Sequence, residues 1–163
     1  MELNLKSGWS YCNKQILEIS NSLPQSTTLS VLELGGGDSS IKLWDFLKTK
    51  YKQVTYRCYE TDPTWAPQHD NIEVILYKTP SLVVFDDVVY DFILIDGPTG
   101  ISRREWYSKL TNNVRPGTIL HIDDYDHYKE FEEELAINFV YDELYRTSRT
   151  KRGEKSWLTV KIK

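Results

Sequence analysis

The sequence predicts an open α/β fold: a mostly parallel sheet with an antiparallel C-terminal strand and helices on both faces. Three observations predict it. Residues 29–34 are mostly apolar, Leu29, Val31, Leu32 and Leu34 with Glu33 near the end, run into Gly35-Gly36-Gly37, and are followed by the helix-periodic series Ile41, Leu43, Trp44, Phe46 and Leu47. Residues 91–96 hold the unbroken apolar run Phe92-Ile93-Leu94-Ile95, the signature of a strand buried on both faces. Residues 139–145 and 156–162 close the chain as two β-like runs that read as an antiparallel pair.

The remaining elements follow in order. Residues 9–23 place Trp9, Cys12, Ile16, Ile19 and Leu23 at helical spacing, and Pro24 ends the segment. Ser7-Gly8-Trp9-Ser10-Tyr11 could cover a ligand, but an N-terminal helix packed on the sheet, with Trp9 as core filler, is the favoured reading of the pattern. The glycine turn leads to a helix at 41–51, a second strand at 54–59 ending at Glu60, and a third at 71–76. Residues 83–90 leave a short helix and a hairpin both open. A helix at 104–112 precedes the turn Arg115-Pro116-Gly117. A fifth strand at 118–122 runs into Asp123-Asp124-Tyr125, and an amphipathic helix spans 128–138.

The chain of 163 residues is long enough for one core, so a single domain over 1–163 is expected, with 1–26 as an N-terminal helical segment. No apolar run approaches membrane-spanning length, and the N-terminus lacks a signal-peptide core. Cys12 and Cys58 have no metal-type spacing; both are expected reduced and the protein cytoplasmic. The net charge of −4 argues against a nucleic-acid partner, whose binding rests on clustered Lys and Arg. The cluster Arg146, Arg149, Lys151, Arg152 and Lys155 reads as a solvated loop. Oligomeric state has no signal.

The glycine turn is where the fold would bind a ligand. Glycine lets a ligand approach the backbone, and the following helix aims free N–H groups at the same point. The dinucleotide pattern Gly-x-Gly-x-x-Gly fails at Ser40, and Glu33 would repel a pyrophosphate. That disfavours a nicotinamide oxidoreductase. A carboxylate there suits the α-amino group of an amino-acid-like ligand. Glu60 closes the second strand at the distance where Rossmann-type sites hold a ribose.

Glu33-Leu34-Gly35-Gly36-Gly37 resembles the Asp/Glu-x-Gly-x-Gly motif of Rossmann-like, class I S-adenosylmethionine-dependent methyltransferases, with Ser39 at the third small position. Glu60-Thr61-Asp62-Pro63-Thr64-Trp65 resembles the Glu-x-Asp-Pro-x-Trp of several small-molecule methyltransferases. The order of elements over 29–125, with the closing strands, resembles the same fold. The resemblance implies S-adenosylmethionine over Gly35, Gly36, Gly37, Asp38 and Ser39, with Glu33 near the amino-acid moiety. It further implies Glu60 and Thr61 at the ribose, Tyr77 at the adenine, and Asp96 and Gly97 alongside.

Arg115-Pro116-Gly117 through Asp123-Asp124-Tyr125 is similar to a segment of metal-dependent O-methyltransferases acting on sugars and small hydroxylated molecules. That similarity implies Asp96, Asp123 and Asp124 as ligands of Mg²⁺ or another divalent cation, which would activate an acceptor hydroxyl. The chain departs from that family at Pro98, where an acid often stands. Asp96-Gly97-Pro98-Thr99-Gly100 instead resembles the Asp-Gly-Pro-x-Gly of plant glucuronoxylan 4-O-methyltransferases. The base must then come from elsewhere. Asp96 and His127 are the candidates, while His121 could equally be a core residue. Arg103 and Arg104 would line the acceptor side and favour an anionic or polyhydroxylated acceptor. Gly97 and Thr99 depart from the motif of nucleic-acid amino-methylating enzymes, and a Lys-Asp-Lys-Glu tetrad is not evident.

The expectation is an S-adenosylmethionine-dependent O-methyltransferase acting on a carbohydrate or small metabolite, without nucleic acid or membrane. The alternative is a catalytically inactive S-adenosylmethionine-binding scaffold of the same fold, favoured by Pro98 and the small size.

Overall fold

The computed structural model describes residues 11–151 and 154–163. Most of the stretch 7–11 and one member of the basic cluster, Arg152, lie outside them. In chain order the elements are α1 (Asn13–Ser22), β1 (Thr28–Leu34), α2 (Asp38–Lys50), β2 (Gln53–Glu60), β3 (Ile72–Leu76), β4 (Phe92–Ile95), α3 (Glu105–Lys109), β5 (Ile119–Asp123), α4 (Glu132–Asn138), β6 (Tyr141–Thr147) and β7 (Trp157–Ile162). The seven strands form one sheet in the order β3-β2-β1-β4-β5-β7-β6. All neighbours are parallel except β7, which runs antiparallel to both β5 and β6. This is the Rossmann-like methyltransferase fold that the sequence predicts.

Strand parity divides the core into two layers. Leu32, Leu34, Ile93, Ile95, Leu120 and Ile122 pack on one face against Trp106, Tyr107, Phe131 and Leu135 around α3 and α4. Leu29, Val31, Phe92, Leu94 and Ile119 pack on the other against Ile16 and Ile19 of α1 and Leu43 and Leu47 of α2. All of β4 and β5 is buried, as the apolar run of β4 requires. Because the sheet is open and parallel at its centre, its crevice lies at the carboxyl ends of β1 and β4, where the strand order reverses.

Three local expectations are corrected. The helix after the glycine turn begins at Asp38, before the first apolar position of its series, because Gly37 caps it: the Ser40 hydroxyl accepts the Gly37 N–H at 3.0 Å. The predicted helices at 104–112 and 128–138 each open on a 3₁₀ turn, and the first also ends on one. Residues 83–90 form neither helix nor hairpin. They run as a loop pinned by Asn113, whose side chain donates to Asp86 O and Val88 O at 2.8 Å each. Among the described residues no helix is long and apolar enough to cross a membrane.

Candidate active site

A cavity of about 510 Å³ opens over the carboxyl ends of the central strands. Its size is that of an ordinary small-molecule site. Its two ends differ in construction.

The first end is the glycine turn. Gly35 has φ +97°, and a Cβ there would lie 2.4 Å from Gly97 N, so β1 and β4 meet at this point without room for a side chain. A Cβ on Gly36 would strike Cys58 Sγ at 2.5 Å. Gly37 differs: it is extended, and a Cβ would meet nothing closer than 3.9 Å. The space in front of Gly37 belongs to the cavity, which Asp38, Ser39, Thr61, Asp62 and the half-exposed Trp65 also line. Glu60 braces this end. Its Oε2 accepts the Gly36 N–H at 2.7 Å, and its Oε1 accepts the Thr61 and Asp62 N–H groups at 2.7 and 2.9 Å. One carboxylate thus fixes both loops while lining the cavity, and Oε2, with one N–H partner, has capacity for a second hydrogen bond.

The second end gathers Asp96, Gly97, Pro98, Thr99, Arg103, Asp124, Tyr128 and Lys155. Arg103 is buried at 2% exposure and holds the turns after β4 and β5 together. Its guanidinium donates to Pro98 O at 2.9 Å, to Asp123 O at 3.0 Å and to Asp96 O, and it lies 3.9 Å over the Tyr128 ring. Carboxylate oxygens of Asp96, Asp123 and Asp124 all come within 4.8 Å of one another. Burial, with the neighbouring Asp123 carboxylate adding, pushes the Asp96 carboxyl well above the ordinary range.

These oxygens are of the type that suits Mg²⁺, but two of the three carboxylates already face cations of the chain itself. Asp123 Oδ1 accepts from Gln15 Nε2 at 2.6 Å, and its Oδ2 accepts from Lys155 Nζ at 3.3 Å. Asp124 Oδ1 accepts from Arg149 Nη2. Both cations come from the segment between β6 and β7, the basic cluster that the sequence reads as a solvated loop. With a lysine ammonium and a guanidinium in place, the donor set does not fit a divalent ion as well.

Several predicted residues lie elsewhere. Glu33 does not reach the cavity. Strand parity puts its side chain on the sheet face of Leu29 and Val31, fully buried, where the hydroxyls of Tyr56 and Tyr11 donate to it at 3.0 and 3.4 Å. Burial pushes its carboxyl up to about 7, against hydrogen bonds from Ser40, Tyr56, Cys58 and Tyr11 that favour the ion. Tyr77 packs in the core, 5.4 Å from the Trp106 ring, instead of lining the cavity. Arg104 faces outward and pairs with Glu134 at 3.5 Å. His127 lies against Arg149, 2.6 Å away, outside the cavity lining. His121 is a core residue: Gln15 Nε2 donates to its Nε2 at 2.9 Å, so its Nδ1–H faces Thr159 Oγ1 at 2.9 Å. Burial pushes it down to about 4, which keeps it neutral.

The structure adds Asp62, Trp65, Pro98, Thr99, Tyr128 and Lys155 to the lining. Trp65 stood in the Glu-x-Asp-Pro-x-Trp resemblance. Nothing local in the sequence marks Lys155.

The fold and its cleft define a class, the Rossmann-like methyltransferase architecture, and solved structures bear out the fold. The chain is similar to a TehB-like S-adenosylmethionine-dependent methyltransferase from Corynebacterium glutamicum, with TM-score 0.67 and 11% identity over 99% of this chain and 90% of that one. It is similar to human methyltransferase-like protein 13 bound to S-adenosylhomocysteine, with TM-score 0.62 and 16% identity over 94% and 83%. It is also similar to the N-methyltransferase NodS of Bradyrhizobium japonicum bound to the same ligand, with TM-score 0.61 and 12% identity over 91% and 84%. No protein-family model matches the sequence, and no curated protein matches it.

Proposed function

We propose that this protein is an S-adenosylmethionine-dependent methyltransferase that methylates a hydroxyl of a small polar molecule or carbohydrate. The observation that carries this reading is the single cavity joining the open face of Gly37 and the Glu60 carboxylate to Asp96. The residues fit the donor: Gly37 leaves room where a Cβ would project, the first turn of α2 offers N–H groups, and Glu60 keeps an acceptor site for a ribose hydroxyl. When bound, S-adenosylmethionine supplies a methyl on a sulfonium, and its transfer leaves neutral S-adenosylhomocysteine.

The protein's own task is alignment and proton removal. Arg103 and Tyr128 set the wall of the acceptor end. Asp96, open to the cavity beside Gly97, is placed to take the acceptor's hydroxyl proton. Its raised carboxyl makes its ionised form a stronger base than an ordinary aspartate. His127 is set aside by its place against Arg149. NodS, an N-methyltransferase by description, shares the fold, but a lysine ammonium at the acceptor end favours an acceptor oxygen over a cationic amine.

Calorimetric titration with S-adenosylhomocysteine tests the reading. Saturable binding that Gly37→Val abolishes supports it, and no binding at millimolar concentration removes it. Binding without methyl transfer to any hydroxylated acceptor would leave a cofactor-binding scaffold.

A further inference from the structure

The carboxylates of Asp96, Asp123 and Asp124 form the most acidic point of the cleft, and the chain brings its own cation to them. Ser156 anchors the approach: its hydroxyl accepts the Asp126 N–H at 3.1 Å, and its carbonyl accepts the Tyr125 N–H at 3.3 Å. This fixes Lys155 beside the end of β5, with side-chain exposure of 16% against 1% for Asp123. The ammonium reaches Asp123 Oδ2 at 3.3 Å and still lines the cavity. An ammonium has three N–H donors, and Asp123 engages one. Arg149 holds Asp124 from the other side.

We propose that Lys155 occupies the place of a divalent cation at the acceptor end, neutralising the aspartate cluster and offering its remaining N–H bonds to an acceptor oxygen. The charge role stands by itself; the acceptor role rests on the methyl-transfer reading. Removing the ammonium leaves Asp123 buried with no cation of its own, beside Asp96 and with Arg149 still on Asp124; a buried carboxylate stripped of its partner is costly, and a cation from solution relieves that cost. The site therefore takes neutral or anionic oxygen nucleophiles, such as polyols and uronic acids, and needs no added metal.

Mn²⁺ titration of the full chain, read by loss of the free-ion electron paramagnetic resonance signal, tests the charge role. Wild type and Lys155→Arg are expected to show no saturable site. Lys155→Met should gain one that binds at least about tenfold more tightly than wild type, and Lys155→Met/Asp123→Asn should lose it. A wild type that binds Mn²⁺ as tightly as Lys155→Met overturns the proposal. So does a Lys155→Met protein with native circular dichroism that binds none. Lys155→Gln is read the same way if the Met variant does not fold. For the acceptor role, labelled-methyl release is measured in excess chelator with polyols, uronic acids and primary amines. Transfer to hydroxyls in chelator supports it; transfer only to amines, or only with added Mg²⁺, overturns it. Transfer to nothing, with S-adenosylhomocysteine binding intact, removes the methyl-transfer reading while the Mn²⁺ result stands.

Discussion

The glycine-turn end of the cleft, proposed as the donor end, comes from one stretch of chain, residues 35–65, whereas the opposite end, proposed as the acceptor end, gathers residues from 96 to 155. The donor end is held by short-range backbone geometry: a glycine at φ +97°, and a carboxylate that accepts N–H groups from its own loop and the glycine loop. The acceptor end is held by side chains meeting across the sheet: Arg103 on three carbonyls, and Lys155 and Arg149 on the aspartates. The contrast teaches that backbone chemistry specifies the first end and charge pairing the second. Perturbations should separate the two.

The largest effect should come where the ends touch. Gly35→Ala forces a Cβ into Gly97 N at a positive φ, where the opposing atoms are backbone and cannot swing away. We expect a loss of about 3 kcal/mol or more in stability, from strain plus overpacking. Gly37→Ala places its Cβ in ordinary contact, 3.9 Å from Ser39 Oγ and from the Trp65 ring, with no clash. Its stability should stay within about 0.5 kcal/mol of wild type, while affinity for S-adenosylhomocysteine falls. Denaturant melts and calorimetry on the two variants separate a glycine that serves the fold from one that serves the ligand. Equal stability in both would break the comparison.

The ends should also answer pH in opposite senses. His121, under the acceptor end, is held down to about 4 in the folded chain and titrates near 6.5 when unfolded. The unfolded state takes up the proton first, so stability falls as pH drops from 6.5 to 4, by about 3 kcal/mol in all. Glu33, under the donor end, is raised to about 7 from 4.5. Here the folded state keeps the proton, so stability falls as pH rises from 4.5 to 7, by a similar amount. Subtracting the denaturation curves of His121→Gln and Glu33→Gln from wild type should give slopes of opposite sign. Slopes of the same sign would refute these assignments.

Glu60→Ala should weaken S-adenosylhomocysteine binding by about 1–3 kcal/mol, because it strips the partner from the Gly36, Thr61 and Asp62 N–H groups. Unchanged affinity would remove Glu60 from the donor end.

That Gly35, Gly36, Gly37 and Glu60 line one end of a cavity was legible because their signals are local. Gly35, Gly36 and Gly37 lie at a strand-to-helix joint, and Glu60 closes the next strand. Glu33 misled because strand parity, which sends it under the turn, was outweighed by its closeness to the glycines. The acceptor end was legible only in its acids, which sit at strand ends. Its cations were hidden because β7 runs antiparallel to β5 and places Trp157 opposite Asp123, which draws Lys155 to the aspartates from far along the chain. A charge run in a loop does not state its partners. Tyr77, an aromatic just after a strand, packs partly buried against the Trp106 side of the core and is not among the residues that line the cavity.

The smallest effect is expected at Arg104, and it sharpens the comparison most cheaply. Arg103 and Arg104 are neighbours with the same chemistry, and in sequence both stand by the Asp-Gly-Pro-Thr-Gly turn. The 3₁₀ turn at Ile101–Arg104 points them apart. Arg103 goes inward to the carbonyls; Arg104 goes outward to Glu134 at 3.5 Å, with side chains 48% and 33% exposed. An ion pair that open to water contributes at most about 1 kcal/mol. Arg104→Ala should therefore shift stability by less than that and leave S-adenosylhomocysteine affinity and methyl transfer unchanged. Arg103→Ala, which strips the partner from the carbonyls of Pro98, Asp96 and Asp123 and from the Tyr128 ring, should lower stability and disrupt the acceptor end. If Arg104→Ala instead raised KM for an anionic acceptor, the acceptor end would extend toward α3, beyond the Arg103 and Lys155 that line the cavity.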